Sequence, residues 1–305
     1  MGGFLFGYDL AIILGAQIFL RDQFALSPAA FGFAVSSALL GCIPGPSVGA
    51  WFCDRLGRKV SLLWAGILFV VGAVGTGLAP RIGVFNAFRI LGGLGVGLAS
   101  LASPLYIAEI APAHRRGTLG LMYQLAIVAG SSAAALVAYF LARYVAPNLG
   151  WRLMFLSVVI PAVGFMVLLL EVPQAPRWLA AKGQLDEAFE VLSRFNGQEQ
   201  ARKDLHEIRD SIAGEGGTLQ ELFQPGLRKA LFVGIALAIM NQWTGWSGIA
   251  TYMPVLFQEA GYTQPSAALG KNVLVFIATG FLTLVSIYLV DRIGEIASSP
   301  EPHTP

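Results

Sequence analysis

The chain has 305 residues, 55% of them hydrophobic and only 12% charged, with a mean hydropathy of +0.66. A soluble domain carries about a quarter charged residues, so this density excludes an ordinary water-soluble globule and calls for an apolar surrounding. A net charge of +2 without a basic tract argues against a nucleic-acid partner, and two cysteines, Cys42 and Cys53, offer neither a disulfide framework nor a metal-ligand spacing.

Crossing a bilayer takes roughly 20 apolar residues per helix. On that criterion the chain predicts eight spans, at about 1–20, 28–52, 60–79, 82–108, 117–142, 150–171, 227–258 and 268–290. Met1 opens almost directly into apolar sequence with no basic n-region and no cleavage site. It therefore predicts no cleavable signal peptide, and a first helix that lacks its cytoplasmic end. The connections after spans two, four and six carry thirteen Lys or Arg residues; the others carry Arg21, Arg81, Arg143 and Lys271. The positive-inside rule then puts the N-terminus and the even-numbered loops in the cytoplasm of a multi-pass protein of the cell membrane.

Asp9 falls within the first span and Arg89 within the fourth. A charge at bilayer depth costs on the order of 2.5–3.5 kcal/mol, and the opposed directions of the two spans allow both at similar depth. Two roles are open to such a pair. It either locks two helices together, or exchanges a proton when the carboxylate and its Arg partner separate. The run Gly92-Gly93-Leu94-Gly95-Val96-Gly97 lacks nucleotide-loop spacing and context. Gly93 and Gly97, like Gly41, Gly45 and Gly49 in span two, instead predict faces for close helix packing.

Gln124 lies in span five, and Asn241-Gln242-Trp243-Thr244-Gly245-Trp246-Ser247-Gly248 interrupts the apolar run of span seven. Amides both donate and accept and indoles cover a sugar ring's apolar face, so this broken helix suits a neutral polyhydroxylated ligand. Between spans six and seven the chain turns polar. Leu185, Ala188, Phe189 and Leu192, then Leu205, Ile208 and Ile212, recur at helical spacing and predict short amphipathic helices. The histidines, His114, His206 and His303, lie in loops or the tail with no nucleophile beside them, so no enzyme is indicated.

Asp54-Arg55-Leu56-Gly57-Arg58-Lys59 after span two is echoed by Asp291-Arg292-Ile293-Gly294 after span eight, which predicts a duplicated fold. The predicted organisation is an all-α transmembrane protein. It comprises a six-helix bundle over 1–171, a cytoplasmic helical loop over 172–225, the first two helices of a second, shortened bundle over 226–294, and a disordered polar tail over 295–305.

These motifs resemble those of the sugar porter family of the major facilitator superfamily, and the resemblance runs to Gly294. Its markers are Gly7-Tyr8-Asp9, the Asp54 to Lys59 motif, Arg89 before the glycine run, Pro104 to Pro112 leading to Arg116-Gly117, Gly150-Trp151-Arg152 and Pro176-Arg177-Trp178-Leu179. The Asp9 and Arg89 context is similar to bacterial proton-linked pentose and hexose permeases. The resemblance implies that Asp9, with Arg89, couples protons; passive facilitators generally carry a neutral residue at that place. It implies that Gln124 and Gln242 bind sugar, with Asn241 and Ser247 beside them. Asp54, Arg55, Arg58, Glu109, Arg116 and Arg177 match a cytoplasmic charge latch. No cofactor is implied beyond the proton as coupling ion; the partners are a small-molecule sugar or polyol and the lipid bilayer, and no oligomeric state is specified.

This sequence departs from the family pattern in helix seven, after helix six, at the second Asp-Arg-x-Gly motif, which lacks its Arg-Arg, and in having no helices nine to twelve. Asn241 replaces a Gln, Ser247 an Asn and Thr251 a Tyr in helix seven, and Gln174 replaces a latch Glu. The expectation is proton-coupled transport of a sugar or polyol by alternating access. Left open beside it are a passive uniporter, a sugar-binding membrane protein without flux, and an inactive fragment.

Overall fold

The computed structural model describes residues 1–111, 116–213 and 225–298, with the side chains of Arg116, Asn196, Ala213, Pro225, Gly226, Asn241, Trp246, Ile287, Tyr288, Val290 and 291–298 outside the description. The expected side-chain roles of Arg116, Asn241 and the second Asp-Arg-x-Gly motif, and residues 299–305 of the polar tail, therefore lie outside the described residues.

Every described element is a helix. α1 is Gly2–Gln23. The second span is α2 (Pro28–Cys42) and α3 (Gly45–Leu56), bent where Pro44 and Pro46 withhold backbone donors. α4 (Arg58–Gly77), α5 (Ile82–Ile110) and α6 (Arg116–Tyr144) follow. The sixth span is α7 (Pro147–Ser157) and α8 (Val159–Glu171), jogged at Val158 ahead of Pro161. Three short helices come next: α9 (Pro176–Ala181), α10 (Leu185–Asn196) and α11 (Gln198–Ala213). Leu179, Ala180, Ala188 and Val191 bury a small core there against Leu185, Leu205, Ile208 and Ile212, as the helical spacing predicts.

The chain closes with α12 (Pro225–Trp243), α13 (Trp246–Glu259) and α14 (Pro265–Ser298). Among the described residues seven continuous stretches are long and apolar enough to cross a membrane. The expected span over 227–258 is instead the broken pair α12–α13. The break falls at Thr244-Gly245, with Gly245 in the left-handed region at φ 73°. α14 also continues past Gly294 to Ser298, so helix occupies the first residues of the segment expected to be a disordered tail.

The packing centres on α1, which touches α5, α6, α7 and α13 and buries 15 of its 22 residues. Small residues set this closeness: a Cβ on Gly7 would run into the Ile127 carbonyl of α6. The glycine run of α5 works the same way, with Gly93 seated on the Ala38 backbone and Gly97 against Gly45. Packing, not phosphate binding, is the role these glycines play. Trp151 of the Gly150-Trp151-Arg152 motif is fully buried, edge-on to Phe24 and Phe85. Its neighbour Arg152 donates from Nη1 to the Gly77 carbonyl at 3.0 Å, satisfying an orphan acceptor at the end of α4.

Candidate functional site

Asp9 and Arg89 meet inside the first bundle. Arg89 Nη1 lies 3.2 Å from Asp9 Oδ1 and 3.1 Å from Oδ2, and the residues are 4% and 2% exposed. One nitrogen thus serves both carboxylate oxygens, whereas a fork-to-fork pair would use two. Arg89 Nε is buried with no acceptor among the described residues, and the guanidinium lies 5.3 Å from the Phe155 ring centroid. The pair is therefore held by charge and by aromatic walls but is not saturated with hydrogen bonds. Next to Asp9, the Tyr8 hydroxyl is 2.8 Å from Ser157 Oγ, and Ser131 Oγ donates to the Gly7 carbonyl at 3.1 Å. These bonds fix the Gly7-Tyr8-Asp9 turn of α1 between α6 and the jog of the sixth span.

The amides expected to bind ligand are only partly brought together. Across the break, Ser247 Oγ donates to Gln242 Oε1 at 3.3 Å, and both side chains are exposed. Gln124 stands exposed on α6, and no hydrogen bond among the described residues joins it to α12 or α13. Among the described residues, the hydrogen bond that links α13 to the first bundle comes from Gln17, which the sequence alone did not single out. Gln17 is fully buried and donates from Nε2 to the Thr251 carbonyl at 2.8 Å, while its Oε1 is unpartnered among the described residues. It lies eight residues beyond Asp9 on α1, about 12 Å along the axis. The signal was present, since an amide inside an apolar span is the criterion that selected Gln124.

The expected latch residues converge in part. Arg58 is buried and donates from Nε to Glu109 Oε1 at 2.9 Å, with Nη2 at 2.8 Å from the same oxygen. Its Nη1 donates to the Cys53 carbonyl at 3.0 Å and stands 3.9 Å from Asp54 Oδ1. Asp54, Arg58, Glu109 and Arg177 line one cleft of about 520 Å³ with Leu105, Ala108 and Ile208. Arg177 Nη2 also donates to Ser211 Oγ at 3.2 Å, tying the cleft to α11. Arg55 does not join them; its guanidinium lies over the Trp51 ring at 4.8 Å, on the outer face of α3.

Gln174 has a structural part that its substitution for a carboxylate does not suggest. Gly57, at φ 86°, ends α3 and begins α4, and a Cβ there would strike the Gln174 amide. Gln174 Oε1 accepts from the Lys59 and Ala175 amides at 2.9 and 3.3 Å, and its Nε2 donates to the Leu56 carbonyl at 3.3 Å. A carboxylate could accept but not donate. Trp178 Nε1 donates to the Asp54 carbonyl at 3.1 Å and Tyr106 Oη to the Pro173 carbonyl at 2.7 Å, completing the seam between the Asp-Arg-x-Gly turn and the segment after α8.

Residues 1–295 match the family model described as sugar (and other) transporter. The chain is 38% identical over 299 residues to the arabinose-proton symporter of Bacillus subtilis, covering 96% of this chain and 64% of that protein. It is 36% identical over 324 residues to the D-xylose-proton symporter of Escherichia coli, covering 96% and 66%. In structure it is similar to the xylose transporter XylE of E. coli in a partially occluded inward-open conformation, with a TM-score of 0.84 at 34% identity over 95% of this chain and 71% of that one. It is also similar to the proton:xylose symporter bound to 6-bromo-6-deoxy-D-glucose, with a TM-score of 0.82 at 35% identity over 95% and 67%. The chain spans a little under two thirds of the length of the first of these relatives. With the motifs, the helical order and these matches in agreement, the chain belongs to the sugar transporter family of the major facilitator superfamily, a family of membrane transporters.

Proposed function

We propose that this chain serves proton-coupled transport of a sugar or polyol across the cell membrane by alternating access, with its N-terminus in the cytoplasm. The observation that carries the reading is the buried Asp9–Arg89 pair, because an ion pair at bilayer depth that lacks full hydrogen bonding is poised to open. When the guanidinium withdraws, desolvation favours the neutral carboxyl and a proton binds Asp9; when it returns, the proton leaves. Gln242, Ser247, Asn241 and Gln124 are the proposed ligand contacts. They supply mixed donors and acceptors with no net charge, the chemistry that a neutral polyhydroxylated solute requires. Asp54, Arg58, Glu109, Arg116 and Arg177 are the proposed charge latch, formed in one conformation and parted in the other; Arg55 is assigned to the α3 surface. The names of the relatives support a sugar as substrate and a proton as coupling ion, and the charge asymmetry of the loops supports the orientation.

The test uses the full chain in proteoliposomes with a panel of pentoses, hexoses and polyols. A proton gradient should drive sugar accumulation and sugar addition should alkalinise the outside. Asp9→Asn should abolish accumulation while exchange of preloaded sugar persists. Uptake unchanged by that substitution removes Asp9 from coupling; flux without alkalinisation means a uniporter; sugar binding without any flux means a non-transporting binder.

A further inference from the structure

At the end of the molecule opposite the charge latch, α6 and α14 run antiparallel in contact, with Gly270 against Tyr139. A cleft of about 330 Å³ opens between them, lined by Arg143 from the C-terminal end of α6 and by Lys271, Gln264, Ser266 and Tyr262 from the N-terminal end of α14 and the turn before it. No carboxylate lines it, and no described carboxylate lies within ion-pair distance of Arg143 or Lys271. Instead each cation lies beside a tyrosine ring. Arg143 is 5.7 Å from the Tyr144 centroid and Lys271 is 5.3 Å from that of Tyr262. Single cations at a membrane surface are ordinary, since long basic side chains snorkel there. Two from different helices facing one cleft, with hydroxyl and amide donors between them and no counter-charge, make a receptor for an anion.

The surroundings indicate where that anion comes from. One helical turn deeper than Arg143, Phe140 is exposed, with Leu136 beyond it; one turn deeper than Lys271, Leu274 is exposed, with Ile277 beyond it. Both rows run from the basic ends of α6 and α14 towards the middles of those helices, and Leu274 also lines the cleft. A cationic, hydroxyl-lined mouth with exposed apolar side chains a turn further along each helix fits a molecule with a phosphate at one end and hydrocarbon at the other. We propose that the cleft between α6 and α14 binds the phosphate headgroup of an anionic phospholipid, bridging Arg143 and Lys271. The helices it would bridge belong to the first and second bundles respectively, so the bound headgroup would tie the two across their contact. This inference is independent of the transport reading and of which side of the membrane the cleft faces.

The test places the full chain in nanodiscs containing a photoactivatable phosphatidylglycerol and maps the labelled peptides by mass spectrometry. Label should concentrate at 139–144 and 262–274. The double variant Arg143→Gln/Lys271→Gln should reduce it about tenfold or more, the weakening expected from losing two near-surface cations. Arg143→Lys/Lys271→Arg should keep it, which separates lost charge from lost folding, and Arg81→Gln, a cation at the same end outside the cleft, should leave it unchanged. Label that survives the double glutamine variant overturns the proposal. So does equal labelling by a phosphatidylcholine probe, and label abolished by inorganic phosphate alone overturns the lipid assignment in favour of a soluble anion.

Discussion

Helices α1 and α12 are both apolar and of similar length, 22 and 19 residues, and both open a bundle, yet they sit in the molecule very differently. α1 is enclosed by α5, α6, α7 and α13, with Gly3 and Gly7 on the Tyr123 and Ile127 backbones and Gly15 on the Ala138 methyl. α12 exposes Phe232, Val233, Ile235, Leu237, Ile239 and Met240 on all its sides, and Gly234 has nothing within contact distance of a Cβ. Apolar character alone does not separate them, because lipid and protein solvate a leucine about equally well. What separates them is the set of neighbours beside each: α1 packs inside the first bundle, whereas α12 belongs to a second bundle of which this chain holds the first two helices. α1 carries Gly3, Gly7 and Gly15 where helices must approach, and Asp9 and Gln17 where a buried group must find a partner.

The sharpest way to break this comparison is to enlarge one glycine in each helix. Gly7→Leu drives a side chain into the Ile127 carbonyl and should cost upwards of about 3 kcal/mol, read as loss of monodisperse protein in detergent. Gly234→Leu should be neutral to within about 0.5 kcal/mol or mildly stabilising through helix propensity. Equal damage from both would mean that α12 is packed as closely as α1. Next in size is the charge pair. Arg89→Gln alone leaves a buried carboxylate and should cost about 3–5 kcal/mol, part of it recovered in Asp9→Asn/Arg89→Gln. Additive thermal shifts in that cycle would mean that the two charges do not act as a pair.

Much of the arrangement was legible in the residues. Asp9 and Arg89 stood out because a charge in an apolar run has few explanations, and the opposed spans allowed them to meet. The break in span seven was written in Thr244-Gly245, since a left-handed residue inside a helix calls for glycine. Residue type marks Gln124, Gln242 and Ser247 as polar, but whether they meet depends on how α6 packs beside α12 and α13, and no described hydrogen bond joins Gln124 to the other two. Gln17 carries the same mark, an amide in an apolar span, but its partner is a backbone carbonyl of α13 that no residue type announces. By its type alone, Gln174 signals only a lost charge. Its gained donor appears once the Leu56 carbonyl is seen beside it.

Two smaller effects sharpen the picture. Gln17→Leu removes the hydrogen bond that joins α13 to α1 and should cost about 0.6–1.7 kcal/mol, the range for buried interhelical bonds in bilayers. Hydrogen exchange should then rise across 246–259 while α6 keeps its protection; unchanged exchange in α13 would show that apolar contacts alone hold it. Gln174→Glu keeps the accepted bonds and loses the donated one, so its thermal shift should be smaller than that of Gln174→Ala, with about 1 kcal/mol per neutral bond setting the scale. Equal shifts would deny the seam any dependence on that amide.

The break at Gly245 also says where the membrane-spanning part of the chain needs polar company. The first-turn amides of α13, at Trp246, Ser247 and Gly248, have no acceptor within their own helix, and Ser247 and Gly248 are exposed. Hydrocarbon cannot satisfy them, and leaving such groups bare costs several kcal/mol each. A spanning helix is interrupted only where water, a polar neighbour or a bound ligand takes up such donors, and the exposed Ser247 and Gly248 hold theirs open to one of these.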